Sequence, residues 1–174
     1  MKPLAPAACK VCWMTPIKTH PLTAAAFAPF GDVLDATGEF RLINEGMCQR
    51  HHDRAKLDFG PEGRAGISIF NAEARALPYE FSLVERHPEG SQAFVPMSEH
   101  PFLVIVAPDE GGTPGTPRAF VTNGAQGINF HRGTWHGVLT PLHAPGLFAV
   151  IDRIGTTANL EEYRYAQAWR VIGA

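Results

Sequence analysis

Short apolar runs separated by glycine or proline recur along this chain, and that punctuation limits what it can fold into. Its 17 glycines and 15 prolines are spread between the runs instead of gathering in one tract. Glycine frees φ while proline fixes it and removes an amide donor, so each break ends an element and starts a turn. Eight strand-like runs follow one another: Gly66 to Phe70, Phe81 to His87, Ser91 to Met97, Phe102 to Ala107, Arg118 to Thr122, Gly127 to His131, Thr134 to Leu139 and Leu147 to Arg153. Many short strands joined by turns predict an all-β chain that closes into a sandwich or barrel.

Two segments read differently. Thr23 can cap a short helix over Ala24-Ala25-Ala26-Phe27, which Pro29 then limits. The tail is expected to be helical from Glu161 through Trp169, on a weak pattern. Residues 1–13 are expected to be a disordered extension, and 14–174 a single domain, because 174 residues suit one core.

Composition narrows the partners. A hydrophobic share of 45% with 11 Phe can fill a core, and a net charge of -2 gives no general attraction to phosphate backbones or anionic membranes. Neither nucleic acid nor a membrane is expected as a partner. No run approaches the roughly 18 apolar residues of a membrane span, and Met1 to Phe27 holds no unbroken apolar stretch of the secretory kind. A cytoplasmic location is the expectation. Three cysteines, at 9, 12 and 48, do not make a disulfide framework, and the Cys9–Cys12 pair lacks the second pair or βα flank that would give it a role.

The chemistry concentrates in the histidines. Of eight, His51, His52, His87, His131 and His136 sit beside polar residues near strand ends, where neutral imidazoles can ligate a transition metal. Strand alternation over 81–87 puts Phe81, Leu83, Glu85 and His87 on one face, so an apolar row continues into an acid and an imidazole. The second polar segment, Gly127-Ile128-Asn129-Phe130-His131-Arg132-Gly133-Thr134-Trp135-His136, follows after two further strand-like runs.

These two segments resemble the paired motifs of cupin barrels. Glu85 and His87 stand where the first motif carries two histidines, Gln92 stands at its acidic position, and His131 to His136 keep the spacing of the second, with His131 replacing proline. A narrower resemblance follows from E-R-H-P-E-G-S-Q-A-F-V-P-M (85–97), R-A-F-V-T-N-G-A-Q-G-I-N-F-H-R-G-T-W-H (118–136) and I-D-R (151–153). With Phe30-Gly31-Asp32-Val33, Asn44-Glu45-Gly46 and Arg50-His51-His52-Asp53, they are similar to the ureidoglycolate lyase family over roughly Met14 to Gly155. Asn71, where some relatives carry Arg, and the loop Gly111 to Pro117 depart from that pattern.

The resemblance implies a cupin-type β-barrel (double-stranded β-helix, or jelly roll) with a short N-terminal helix, forming a homodimer. It implies cleavage of (S)-ureidoglycolate to glyoxylate and urea in allantoin breakdown, with a divalent metal. Nickel is the ion it suggests, and zinc, manganese or iron would suit the same donors. The metal ligands are then Glu85, His87, Gln92 and His136. His131 is the first choice for protonating the leaving urea nitrogen and His52 the second. Arg50 or Arg132 would anchor the substrate carboxylate through a bidentate pair, with Asn129 also against the substrate. Asp152 could orient a histidine, or else pair with Arg153 or cap a turn. Two other readings stay open: another metal cupin, an isomerase or a dioxygenase, and a cupin that only binds a small molecule. The absence of lysine after Lys56 speaks against a sugar-phosphate isomerase.

Overall fold

Strand follows strand through residues 15–173, the part of the chain that the computed structural model describes, and one turn of helix interrupts them. The extension expected over 1–13, with Cys9 and Cys12, lies outside the described residues. The elements in order are β1 (Thr15–Pro21), α1 (Ala24–Phe27), β2 (Gly31–Leu34), β3 (Arg41–Ile43), β4 (Cys48–Arg50), β5 (Arg64–Ala72), β6 (Tyr79–Arg86) and β7 (Gln92–Pro96). They continue with β8 (Phe102–Ala107), β9 (Arg118–Val121), β10 (Gly127–Phe130), β11 (Trp135–His136), β12 (Thr140–Pro141), β13 (Gly146–Ile154) and β14 (Glu161–Ile172). The Ala26 amide donates to the Thr23 hydroxyl, so α1 carries the cap that its sequence implies.

The strands form two main layers. In the larger sheet the order is β11-β6-β14-β1-β9-β8, with β12 beyond β8, and pairing of β8 with β11 closes six strands into a barrel. The smaller sheet, β2-β10-β7-β13-β5, lies against the outside of that barrel, and β3 with β4 makes a separate hairpin. The expected all-β barrel with a short N-terminal helix is therefore what the chain forms.

Strand β8 shows why both layers hold. Phe102, Val104 and Val106 face the space between barrel and smaller sheet, among Phe27, Phe94, Phe120, Phe130 and Phe148. Leu103, Ile105 and Ala107 face the barrel interior with Val84, Trp135 and Val171. A strand buried on both faces reads as one continuous apolar run, and Phe102 to Ala107 is such a run.

Two expectations are corrected. The tail is a strand, not a helix: Tyr163, Tyr165, Trp169 and Val171 recur at even spacing and all pack into the barrel interior. Aromatic residues at that period suit a half-buried strand, and β14 takes its place between β6 and β1. The alternation over 81–87 also slips. Phe81 and Val84 both point into the barrel, because the ladder with β14 shifts between Arg164 and Trp169. Phe81 does not share a face with Glu85.

Candidate active site

Strands β6 and β11 run antiparallel with Glu85 directly opposite His136. Directly paired residues bring their Cβ atoms to about 5 Å, so this register alone joins a carboxylate to an imidazole. His87 follows Glu85 by two residues. Ligand atoms of Glu85, His87 and His136 all lie within 4.8 Å of one another, the one such group among the described residues. The two imidazole rings are 5.4 Å apart at 37°.

Hydrogen bonds on the far side of each ring fix which nitrogen faces the cluster. His87 Nδ1 lies 2.6 Å from the Asn159 carbonyl, and His136 Nδ1 lies 3.0 Å from the Gly137 carbonyl. A carbonyl only accepts, so each Nδ1 carries the proton and each Nε2 keeps a lone pair. Both Nε2 atoms are buried with no hydrogen-bond partner. Gln92 adds a third atom of this kind: it opens β7, is 6% exposed, and its Oε1 is buried and unpartnered. It enters from the smaller sheet opposite Phe130, whose ring stacks on His136 at 4.2 Å. Buried acceptors without partners are costly, and a divalent cation amid Glu85, His87 and His136 would satisfy both Nε2 atoms together. The residues present therefore fit a metal.

Charge in the cluster points the same way. Burial pushes the His136 imidazole down to about 3, with His87 adding to that and the Gly137 carbonyl opposing it. The ring is thus neutral, as a ligand must be. Burial pushes the Glu85 carboxyl up, His87 pulls it back, and Glu162, its neighbour across β14, pushes it further up. Asp152, at the end of the inward row Phe148, Val150, Asp152, also holds a buried Oδ1 without a partner.

A second group gathers around Asp32 on β2, opposite Asn129 on β10. Asp32 Oδ2 accepts from the Lys56 amide at 2.8 Å and from Asn129 Nδ2 at 2.9 Å. Its Oδ1 lies 3.0 Å from His131 Nε2. The ring nitrogen is too poorly aimed for a directed hydrogen bond, so the carboxylate and the ring lie in contact without one. Burial raises the Asp32 carboxyl, but the Lys56 amide, Asn129 and His131 outweigh it and hold it below the ordinary range. Asn129 is fully enclosed, with its amide nitrogen directed at Asp32 and at the Lys56 carbonyl.

His131 and Arg132 line a cleft of about 540 Å³ with Phe30, Asp109, Arg118 and Trp135. Glu85, His87 and His136 are not among its walls. The turn after β10 links the two, since the Gly133 amide donates to the His87 carbonyl at 2.9 Å. Arg132 is half-exposed, with Nε bonded to the Pro88 carbonyl at 2.6 Å and Nη1 3.7 Å from Asp58. Arg50 and His52 lie elsewhere, in an exposed hollow of about 300 Å³ with Glu39, Phe40, Arg41 and Arg54.

Sequence reasoning does not single out Asp32 or Asn159. Asp32 needs the pairing of β2 with β10 to reach His131, and Asn159 meets His87 across 72 residues. Asn159 carries no local signal, and Asp32 stands within the family-like string Phe30-Gly31-Asp32-Val33 with no role attached to it.

Comparison with known proteins covers nearly all of the chain. The profile of the family described as "Ureidoglycolate lyase" matches residues 14–172. The chain is similar to "Ureidoglycolate lyase" of Rhodobacter capsulatus, 60% identical over 86% of this chain and 94% of that protein. It is also similar to "Ureidoglycolate lyase 2" of Rhizobium meliloti, 47% identical over 91% and 98%. A third relative, "Ureidoglycolate lyase" of Chelativorans sp., is 49% identical over 91% and 97%. A family match over residues 14–172 and identities of this size lead to one conclusion: the chain belongs to the ureidoglycolate lyase family.

Proposed function

We propose that this protein is a ureidoglycolate lyase that releases glyoxylate and urea, with Glu85, His87, His136 and Gln92 holding a divalent metal and His131 moving the proton. The convergence of one carboxylate with two imidazole Nε2 lone pairs carries this reading.

Ureidoglycolate bears a hydroxyl, a carboxylate and a urea nitrogen on one carbon. In the cleavage the hydroxyl loses its proton, its oxygen becomes the aldehyde oxygen of glyoxylate, and the C–N bond breaks. The departing urea nitrogen takes up a proton. No water and no redox partner enter, and one imidazole can carry the proton from oxygen to nitrogen. A bound divalent ion would supply positive charge that acidifies the hydroxyl. Two imidazoles with carboxylate and amide oxygens suit nickel, zinc, manganese or iron, and nickel is the ion the family likeness suggests.

The chain's own residues do the rest. Asp32 lies against the Nε2 side of the His131 ring, which leaves Nδ1 for exchange with the substrate. Arg132, at the edge of the same cleft, anchors the carboxylate with the part of its guanidinium not bonded to Pro88. Asn129 acts through Asp32. Arg50 and His52, in their separate hollow, are the less favoured anchor and acid.

The protein acts in the cytoplasm, in our reading, as a homodimer. Among the described residues no helix is long and apolar enough to cross a membrane. Ile69 and Val95 flank Ala149 across the outer face of the smaller sheet, and Ile67 and Met97 extend that exposed apolar surface. An apolar sheet face of this kind supports pairing with a second copy.

The test is turnover of ureidoglycolate by purified protein with and without a chelator, beside His87→Ala and His136→Ala. Glyoxylate and urea are expected in equal amounts, with activity and metal lost in both variants. Ammonia in place of urea would overturn the reaction, and full metal content in both variants would overturn the ligand assignment.

A further inference from the structure

We infer that Asn159 is a positioning residue for the metal-binding cluster: it fixes the tautomer and direction of His87. The inference rests on the reading that Glu85, His87 and His136 hold the metal.

The segment 155–160 leaves β13 and re-enters the barrel as β14 with no regular structure of its own. It is tied instead to the turn that carries His87. Asn159 makes two of the ties at once: its carbonyl accepts from His87 Nδ1 at 2.6 Å, and its side-chain Oδ1 accepts from the Glu89 amide at 2.7 Å. A third tie lies two residues earlier, where the Thr157 hydroxyl donates to the Glu89 carboxylate. That carboxylate is also paired with the enclosed Arg153 guanidinium at 3.1 Å.

The geometry makes the side chain of Asn159 the control on its own carbonyl. Glu89 lies two residues beyond His87, so holding the Glu89 amide sets where the Asn159 carbonyl stands relative to the imidazole. That carbonyl keeps the proton on Nδ1. Were it displaced, the proton could occupy Nε2, the atom the cluster needs bare. Partners of this kind behind a ligating histidine typically change metal affinity by about 10- to 100-fold when removed.

The first measurement uses the metal-free wild-type protein: ring-nitrogen NMR of its histidines in alkaline buffer, where imidazoles are neutral. His87 should show a protonated Nδ1 and a bare Nε2, and a proton on Nε2 would overturn the inference whatever any variant does. The second is metal affinity by competition with a chelator. Asn159→Ala should bind about 10- to 100-fold more weakly and show a mixed His87 tautomer, while Asn159→Asp, which keeps the acceptor, should recover most of the loss. If Asn159→Ala matches wild type in both readouts, Asn159 does not position His87. A parallel His87→Ala variant separates the two ideas. Wild-type affinity in it would sink the cluster itself, whereas lost affinity there with none lost in Asn159→Ala sinks only the present inference.

Discussion

His136 is fixed from three sides at once, and each constraint comes from a different level of the fold. Strand register sets it opposite Glu85, the Phe130 ring covers its face, and the Gly137 carbonyl holds its Nδ1 proton. The same enclosure gives the residue a signature in stability. An unfolded chain takes up a proton near the ordinary imidazole value of 6.5, whereas the folded chain does so only near about 3. Between those values the unfolded state binds more protons, so stability is lost as pH falls. In chelator, urea unfolding of the wild-type protein should weaken from about pH 6.5 downward by up to about 1.4 kcal/mol per pH unit from this one group. His136→Phe, which keeps an aromatic ring against Phe130, should lack that component. Equal slopes in the two proteins would mean that the ring protonates as easily folded as unfolded. The clustered residues Glu85, His87 and His136 are legible in the sequence because they lie in segments whose strand character and spacing are local. The residues behind them are not. Asp32 and Asn159 are an ordinary acid and an ordinary amide until β2 meets β10 and the loop before β14 crosses the His87 turn.

Among the elements, β2 holds the His131 side of the site in place, and its attachment depends on one missing methyl group. Gly31 pairs with Phe130, and a Cβ there would fall 2.0 Å from the Asn129 carbonyl oxygen and 2.9 Å from a Phe27 ring carbon. The oxygen belongs to backbone and cannot swing away, so Gly31→Ala must push β2 off β10. Asp32, the next residue, would then leave Asn129, the Lys56 amide and His131 together. Loss of about 1–3 kcal/mol of stability is expected, with a fall in kcat measured on the fraction still folded. A variant with wild-type melting temperature and turnover would show that β2 is not clamped in this way. Strands with strong local patterns, β6, β7, β8, β10 and β13, stand out as runs in the amino-acid sequence alone. The short β11 reads there as the longer run Thr134 to Leu139, because Gly137 to Leu139 is apolar and only three-dimensional pairing shows that it leaves the ladder, while β12 carries no run of its own.

At the scale of the molecule, the barrel closes through the two ends of the described chain. β14 lies between β6 and β1, and β1 runs parallel to both β14 and β9. Nothing local could announce that arrangement. Parallel pairing of segments more than a hundred residues apart is decided by the whole core, and the tail reads as a weak helix although Tyr163, Tyr165, Trp169 and Val171 already mark a spacing of two along much of its length. The two readings differ sharply in what truncation does. A helix laid on a finished barrel could be removed with the rest intact. A stave cannot: without residues 161–174, β6 and β1 each lose a hydrogen-bonded neighbour, and the barrel interior loses four large side chains. Because β6 carries Glu85, the site would be lost along with the barrel wall. A chain ending at Leu160 is expected to give no cooperative unfolding transition, to take up no metal, and to aggregate through its two open strand edges. Cooperative melting of that truncated chain with metal still bound would mean that β6 and β1 can close the barrel without β14 between them.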